Sequence, residues 1–141
     1  MSRGSLVSAW SLPKLLLIAV LSAFVALGVL GCTGDTLQVG DVFQNPAEYQ
    51  HEVTLTATVT GFSAESTTVF NIVDNAYIIQ CGNLNCGTTR MFANSVGGAA
   101  MPALGDVVEM TGSFEWVGGV WIFMANSITV EDNVLDRLAP M

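Results

Sequence analysis

The residues whose types could do chemistry are few. Cys81 and Cys86 flank the tetrapeptide Gly82-Asn83-Leu84-Asn85, His51 is the sole histidine, and Glu109 and Glu115 belong to one apolar-rich segment. Two cysteines this close can form a small-loop disulfide in a compartment where thiols are oxidised, and that is the natural reading. They could also form a redox pair, for which Arg90 is the only nearby cation able to depress a thiol pKa, or remain unpaired. A metal site needs four ligands when structural, or three and an open position when catalytic. Besides the two cysteines only His51 is on offer, and the spacing of the carboxylates does not complete a set, so neither a metal nor a cofactor is expected. His51 sits between Gln50 and Glu52 with no nucleophile motif beside it, which leaves a Ser-His-Asp or Cys-His arrangement nothing to assemble from. On an extended strand rising about 3.3 Å per residue, Glu109 and Glu115 are too far apart to act on one bond. No catalytic residue is assigned, and the chain is expected not to be an enzyme.

The remaining candidates are aromatic and aliphatic, and a hairpin has to position them. The segment VVEMTGSFEWV is followed by Gly118-Gly119 and then by VWIFMANSITV. Two glycines between apolar strands are a two-residue hairpin signal. With that turn Trp116 faces Trp121 and Phe114 faces Phe123, on one face with Val108 and Met110. The other face is mixed, with Glu109, Thr111, Ser113 and Glu115 on one strand and Val120, Ile122 and Met124 on its neighbour. The four aromatic rings suit core and hairpin-end packing. Their alternative use is ligand contact, with Trp116 and Trp121 stacking on a sugar or a peptide. The mixed face, with Ile122 and Met124, is either covered by another element or exposed as a partner surface.

Upstream, VTLTATVTGF alternates Val53, Leu55, Ala57 and Val59 with Thr54, Thr56, Thr58 and Thr60. This period of two with β-branched residues predicts a strand with an apolar face inward and a threonine face in water. SAEST is a polar turn, and TTVFNIVD returns as a second strand with Phe70 and Ile72 on one face. Asp74-Asn75 ends that strand with turn chemistry. AYIIQC and TTRMFAN are expected as two short strands around the loop GNLN. The small-residue stretch SVGGAAMPALG reads as a connection with room for a short helical turn. Residues 39–50 read as one or two helical turns, because Asn45 can cap, Pro46 suits the first helical position and Glu48 falls where a capping box wants a carboxylate. The tail DNVLDRLAPM is expected to add a terminal turn through Val134, Leu135 and Leu138. Together these elements fit an all-β domain, a small five-stranded OB-type barrel with short helical turns.

The chain begins with a weakly basic stretch containing Arg3 and Lys14, then an apolar run from Leu15 to Leu30, then Gly31-Cys32. That is the build of a secretory signal, and the run is close to the roughly 17 residues that can span a bilayer core. Val29-Leu30-Gly31-Cys32 resembles the lipobox of prokaryotic lipoproteins, a resemblance that implies acylation of Cys32 and cleavage just before it. An ordinary cut after Gly28 or Gly31, or an uncut N-terminal anchor helix, are the other readings. All of them put the domain outside the cytoplasm, held to a membrane if the anchor is lipid or helix. Residues 1–31 are therefore read as signal or anchor, 32–38 as a linker too short to hold the domain far from the bilayer, and 39–141 as the folded unit.

All 12 acidic residues but only Arg90 and Arg137 of the 4 basic ones lie beyond residue 31, so that portion carries two positive against twelve negative side chains, a formal charge of −10. Nucleic-acid binding needs clustered cations to neutralise phosphates, and two arginines far apart in the chain argue against it. VGDVFQNPAEYQHEVTLTATVTGF, PALGDVVEMTGSFEW and NSITV resemble exported OB-fold proteins related to the tRNA-anticodon-binding-like family. In these a Val-x-Asp-Val-x-x-Asn-Pro-x-x-Tyr lead-in precedes the first strand and Gly-Asp-Val-Val opens the fourth. The resemblance covers most of residues 39–130 and implies the fold; its motifs are structural punctuation and carry no chemistry. The expectation is a membrane-tethered, non-enzymatic binding module on the extracytoplasmic side, with a protein or a small ligand as partner. A structural or assembly subunit of an envelope complex is the alternative, and a nucleic-acid-binding domain a third reading that the charge disfavours.

Overall fold

The computed structural model describes residues 36–138; the expected signal or anchor at 1–31, and Cys32, lie outside them. Ordered pairing starts at β1 (Leu37–Gln38), which joins β2 (Val53–Phe62) in parallel, with Leu37 opposite Leu55. The last two residues of the segment read as a linker are thus part of the sheet. Between β1 and β2 come a short helix, α1 (Val39–Phe43), and a 3-10 turn at Pro46–Tyr49, the helical turns expected there, with Pro46 in the first turn but no cap hydrogen bond from the Asn45 side chain to the backbone. The Asp41 carboxylate accepts from the Gln38 N–H at 2.9 Å to start α1, and the Asn45 amide donates to the Glu48 carboxylate across the 3-10 turn. Val39 and Val42 turn inward and are fully buried.

The sheet then closes on itself. β2 pairs antiparallel with β3 (Val69–Val73) through its second half and with β5 (Asp106–Val117) through its first half. β3 continues to β4 (Met91–Ser95), β4 runs parallel to β6 (Val120–Asn133), and β6 returns antiparallel to β5. Five strands in the order β2-β3-β4-β6-β5 and back to β2 make a closed barrel compatible with an OB-type architecture. Its interior is filled by alternate residues of every strand, among them Leu55, Phe70, Ile72, Met110, Phe114 and Phe123. The turn residues Gly118 and Gly119 both have positive φ, +59° and +92°, as a tight primed hairpin turn requires. The expected pairs Trp116 with Trp121 and Phe114 with Phe123 are observed.

Three expectations need correction. AYIIQC is not a strand but helix α2 (Asn75–Cys81). Its run of apolar residues has no alternation, so periodicity alone leaves strand and helix open, and the turn residue Asp74 decides by accepting from the Ala76 N–H at 2.9 Å as an N-cap. The same carboxylate also accepts from the Gly40 N–H at 3.4 Å, tying α2 to α1. Second, the threonine face of β2 does not simply meet water. Thr58 is fully buried beneath a small outer core of Val73, Ile78, Val107 and Val134, flanked by Leu84 and Leu138. Its hydroxyl donates to the Asn75 side-chain oxygen at 3.0 Å, which satisfies the buried group. Third, the connection between β4 and β5 holds turns and no helix, closed by hydrogen bonds from Ala99 N–H to Val96 O and from Asp106 N–H to Ala103 O.

The tail does add a 3-10 turn, at Val134–Asp136. It is locked by Asp106, a buried carboxylate that accepts from the Ala103 N–H at 2.7 Å and from the Asn133 amide at 2.8 Å. Asn133 in turn accepts from the Leu135 N–H at 2.9 Å. The Gly-Asp-Val-Val signal is therefore a clasp that joins the start of β5 to the end of β6.

The long β5–β6 hairpin changes register between Thr111 and Gly112. There the Gly112 backbone lies so close to the Met124 carbonyl that an added methyl would fall inside the oxygen's van der Waals envelope. Gly112→Ala is expected to lower the unfolding free energy by about 3 kcal/mol, the upper range for overpacking, read from urea denaturation of the full chain. A loss below about 1 kcal/mol would mean that the close approach is not needed for closure.

Candidate functional site

Cys81 and Cys86 form a disulfide with their Cα atoms 6.1 Å apart, within the normal reach of such a bridge. It joins the last residue of α2 to the following loop, whereas a bridge across a β-hairpin loop was expected. Cys81 is at the helix C-terminus, the end that disfavours a thiolate. The shallow cavity beside the bridge is lined by Tyr77, Gln80, Gly87 and Thr88 and has no charged wall. A structural staple fits this setting and an activated redox pair does not.

His51 is exposed and lines a cavity of about 350 Å³ with Leu37, Tyr49, Glu52, Val53 and Thr111. Its ring centroid is 6.4 Å from that of Tyr49, and the Glu52 carboxylate accepts a long bond of 3.4 Å from the Asn126 amide. No set of three His, Cys, Asp or Glu side chains among the described residues is arranged to hold a metal ion. Glu109 and Glu115 are exposed on the outer face of β5.

The four hairpin aromatics divide by depth. Phe114 and Phe123 are buried in the core with ring centroids 5.0 Å apart at 60°. Trp121 is half-buried and packs on that core, sealing the barrel end. Trp116 meets it edge-on with centroids 5.3 Å apart, yet remains 60% exposed. Core packing thus accounts for three of the rings, and Trp116 alone is left largely free for contact.

Ile122 and Met124 point outward from β6 and are half-buried. Across the parallel pairing Ile122 is opposite Phe92 and Met124 opposite Asn94; on the other side they face Glu115 and Ser113. Phe92 is 40% exposed and Val120 42%. Val120, Phe92, Ile122 and Met124 therefore make one apolar strip along the outer face of β4 and β6. The Asn94 amide within it donates only a long 4.0 Å contact to the Met124 sulfur, and its oxygen has no partner.

Where the strip meets the barrel end there is a groove of about 230 Å³. Phe43 and Pro46 come from the helical lead-in, Arg90, Met91 and Phe92 from the start of β4, and Val120 and Trp121 from the start of β6. Arg90 is exposed and is not ion-paired among the described residues, whereas Arg137 pairs with Asp132. Sequence analysis assigned Trp116, Trp121, Ile122 and Met124 but not Arg90, Phe92 or Phe43 to this surface. The parallel β4–β6 pairing that unites them is non-local; the only local hint was an arginine beside an exposed-face phenylalanine in a chain with few cations.

No protein-family model matches the chain, and no curated protein matches it.

Reducing the Cys81–Cys86 bridge, or replacing both cysteines with serine, should lower stability by about 2 kcal/mol, the chain-entropy value for so short a loop. Thermal denaturation with and without reductant reads this out. An unchanged melting temperature would show that the bridge contributes nothing to folding.

Proposed function

We propose that the chain is a membrane-tethered, extracytoplasmic OB-type binding module without enzymatic activity, and that its partner, a protein or a small ligand, docks at the barrel end around Trp116 and the outer strip of β4 and β6. The observation that carries this reading is the largely exposed Trp116 beside an apolar groove that opens onto that strip. A large aromatic side chain left mostly in water, continuous with further exposed apolar surface, is the usual mark of a contact site. The closed barrel is compatible with the OB-type fold in this reading, and the tether rests on the lipobox-like sequence Val29-Leu30-Gly31-Cys32 alone. The acidic surface argues against nucleic acid as partner.

One further reading has its own support. A structural subunit of an envelope complex would use the same strip as a permanent interface, and Phe92, Val120, Ile122 and Met124 are the apolar residues it would cover. A stable interface of that kind buries on the order of 1,000 Å² or more, so it predicts co-purification of a stoichiometric partner, which a ligand-binding module does not require.

Two experiments test the proposal. A radioactive fatty acid should label the unmodified full chain, whose mature N-terminus should be residue 32, and Cys32→Ser should abolish both the label and the cut; an unmodified chain found in the membrane pellet unlabelled and uncut would mean that a helix anchors it. A photo-crosslinking amino acid at Trp116 or Ile122 should capture a partner in intact cells, and one at the exposed Thr129 should not. Equal yields at all three positions would remove the surface from consideration.

A further inference from the structure

We propose that the groove at Arg90 is a receptor for the C-terminal carboxylate of an extended peptide whose last residues are apolar, with the upstream part of that peptide lying on the outer strip of β4 and β6. The inference rests on the reading of the domain as a binding module and names what that surface binds.

Three observations converge on it. The first is charge. In a portion with two arginines against twelve carboxylates, one guanidinium is taken by Asp132 and the other, Arg90, stands at an apolar groove with no ion pair among the described residues. Trp121, Phe43 and Phe92 give that cation apolar neighbours against which the body of a ligand can rest. A guanidinium presents a planar fork that matches a carboxylate in bidentate geometry. A polyanion is unsuited, because its further charges would meet the acidic surface within a Debye length of about 8 Å. One carboxylate on an apolar body is the complementary ligand.

The second is size. At about 230 Å³ and open to solvent, the groove falls below the roughly 300 Å³ at which pockets begin to enclose a drug-sized ligand. A free small carboxylate would leave most of its surface wet there and bind weakly. A chain that continues out of the groove would not. The third is direction. Arg90 and Val120 mark the starts of two parallel strands, and Phe92 with Ile122, then Asn94 with Met124, follow them along the barrel. An extended peptide rises about 3.3 Å per residue, so about four of its residues would track the strip from Val120 to Met124. The Asn94 amide, whose oxygen has no partner, lies where such a peptide could offer a backbone group.

The test uses the full chain in detergent micelles and three probes: a fluorescent peptide of about five residues ending in phenylalanine with a free carboxylate, the same peptide amidated, and 3-phenylpropanoate as competitor. Fluorescence anisotropy should show binding of the free-acid peptide, with amidation weakening it about tenfold. Arg90→Gln should erase the difference between the two peptides, Arg90→Lys should keep part of it, and Phe92→Ser should weaken both peptides alike. Arg90 is exposed, and unchanged melting curves would confirm that these variants fold. Equal binding of acid and amide to the unmodified chain, or a preference that survives Arg90→Gln, overturns the proposal. So does 3-phenylpropanoate binding as tightly as the peptide, which would point to a free small acid. If neither peptide binds while crosslinkers at Trp116 and Ile122 still capture a partner, the binding-module reading stands and the carboxylate claim falls. If capture fails as well, both fall.

Discussion

Closure of the barrel depends on bending one long hairpin. β5 and β6 are each longer than any other strand, and β5 must pair with β6 along its whole length while giving its first half to β2 as well. A flat ribbon cannot do both. The register shift at Gly112, where backbone nearly touches the Met124 carbonyl, lets the ribbon fold over, since a bulge increases local twist and turns a strand from one side of a barrel to the other. Everything at the open end is placed by that bend. It swings the start of β6 against β4, and only then do Val120 and Trp121 meet Arg90 and Phe92.

The two ends of the molecule are finished differently. At the Asp106 end a buried carboxylate, an asparagine and three backbone N–H groups lock the start of β5 to the terminal 3-10 turn, and α2 with its disulfide covers Thr58 and Val73 on the outside. Asp106, Asn133 and Thr58 all find hydrogen-bond partners there, while Leu104, Leu135, Tyr77 and Ile79 stay exposed around them. At the opposite end Trp116 and Val117 are left exposed, Val120 and Phe92 with them, and Arg90 lacks an ion pair among the described residues. Fraying does not explain the contrast, since the turn between β5 and β6 is as tight as a hairpin turn can be. What sets the hairpin end apart is that its exposed apolar residues adjoin a groove that Arg90 lines.

Much of the barrel was legible in the chain because its strongest signals are local. Threonine alternation names β2, the Gly118-Gly119 turn sets the register of Trp116 and Trp121, and Asn45-Pro46 marks the lead-in turn. Where the local signal was degenerate the reading failed: AYIIQC has apolar residues at both strand and helix spacings, and only the Asp74 cap and the outer core around Ile78 tip it to helix. The burial of Thr58 was likewise hidden, since a threonine face looks solvated until α2 and the tail are folded over it. The site was half visible. Trp116, Trp121, Ile122 and Met124 belong to one hairpin, whereas Arg90, Phe92 and Phe43 reach them through a parallel pairing and a helical lead-in that no short window of sequence contains.

Arg90 shows why charge counting and geometry have to be argued together. By composition the portion beyond residue 31 is strongly acidic, which speaks for solubility and against polyanions. By position its two cations differ: Arg137 spends its charge on Asp132, five residues away, and Arg90 faces aromatic and aliphatic walls. An exposed guanidinium beside apolar walls offers a carboxylate a planar fork of donors and the carboxylate's stem an apolar surface. Under the carboxylate-receptor proposal, the acidic surroundings that disfavour a polyanion leave room at this corner for a single negative charge on an apolar stem.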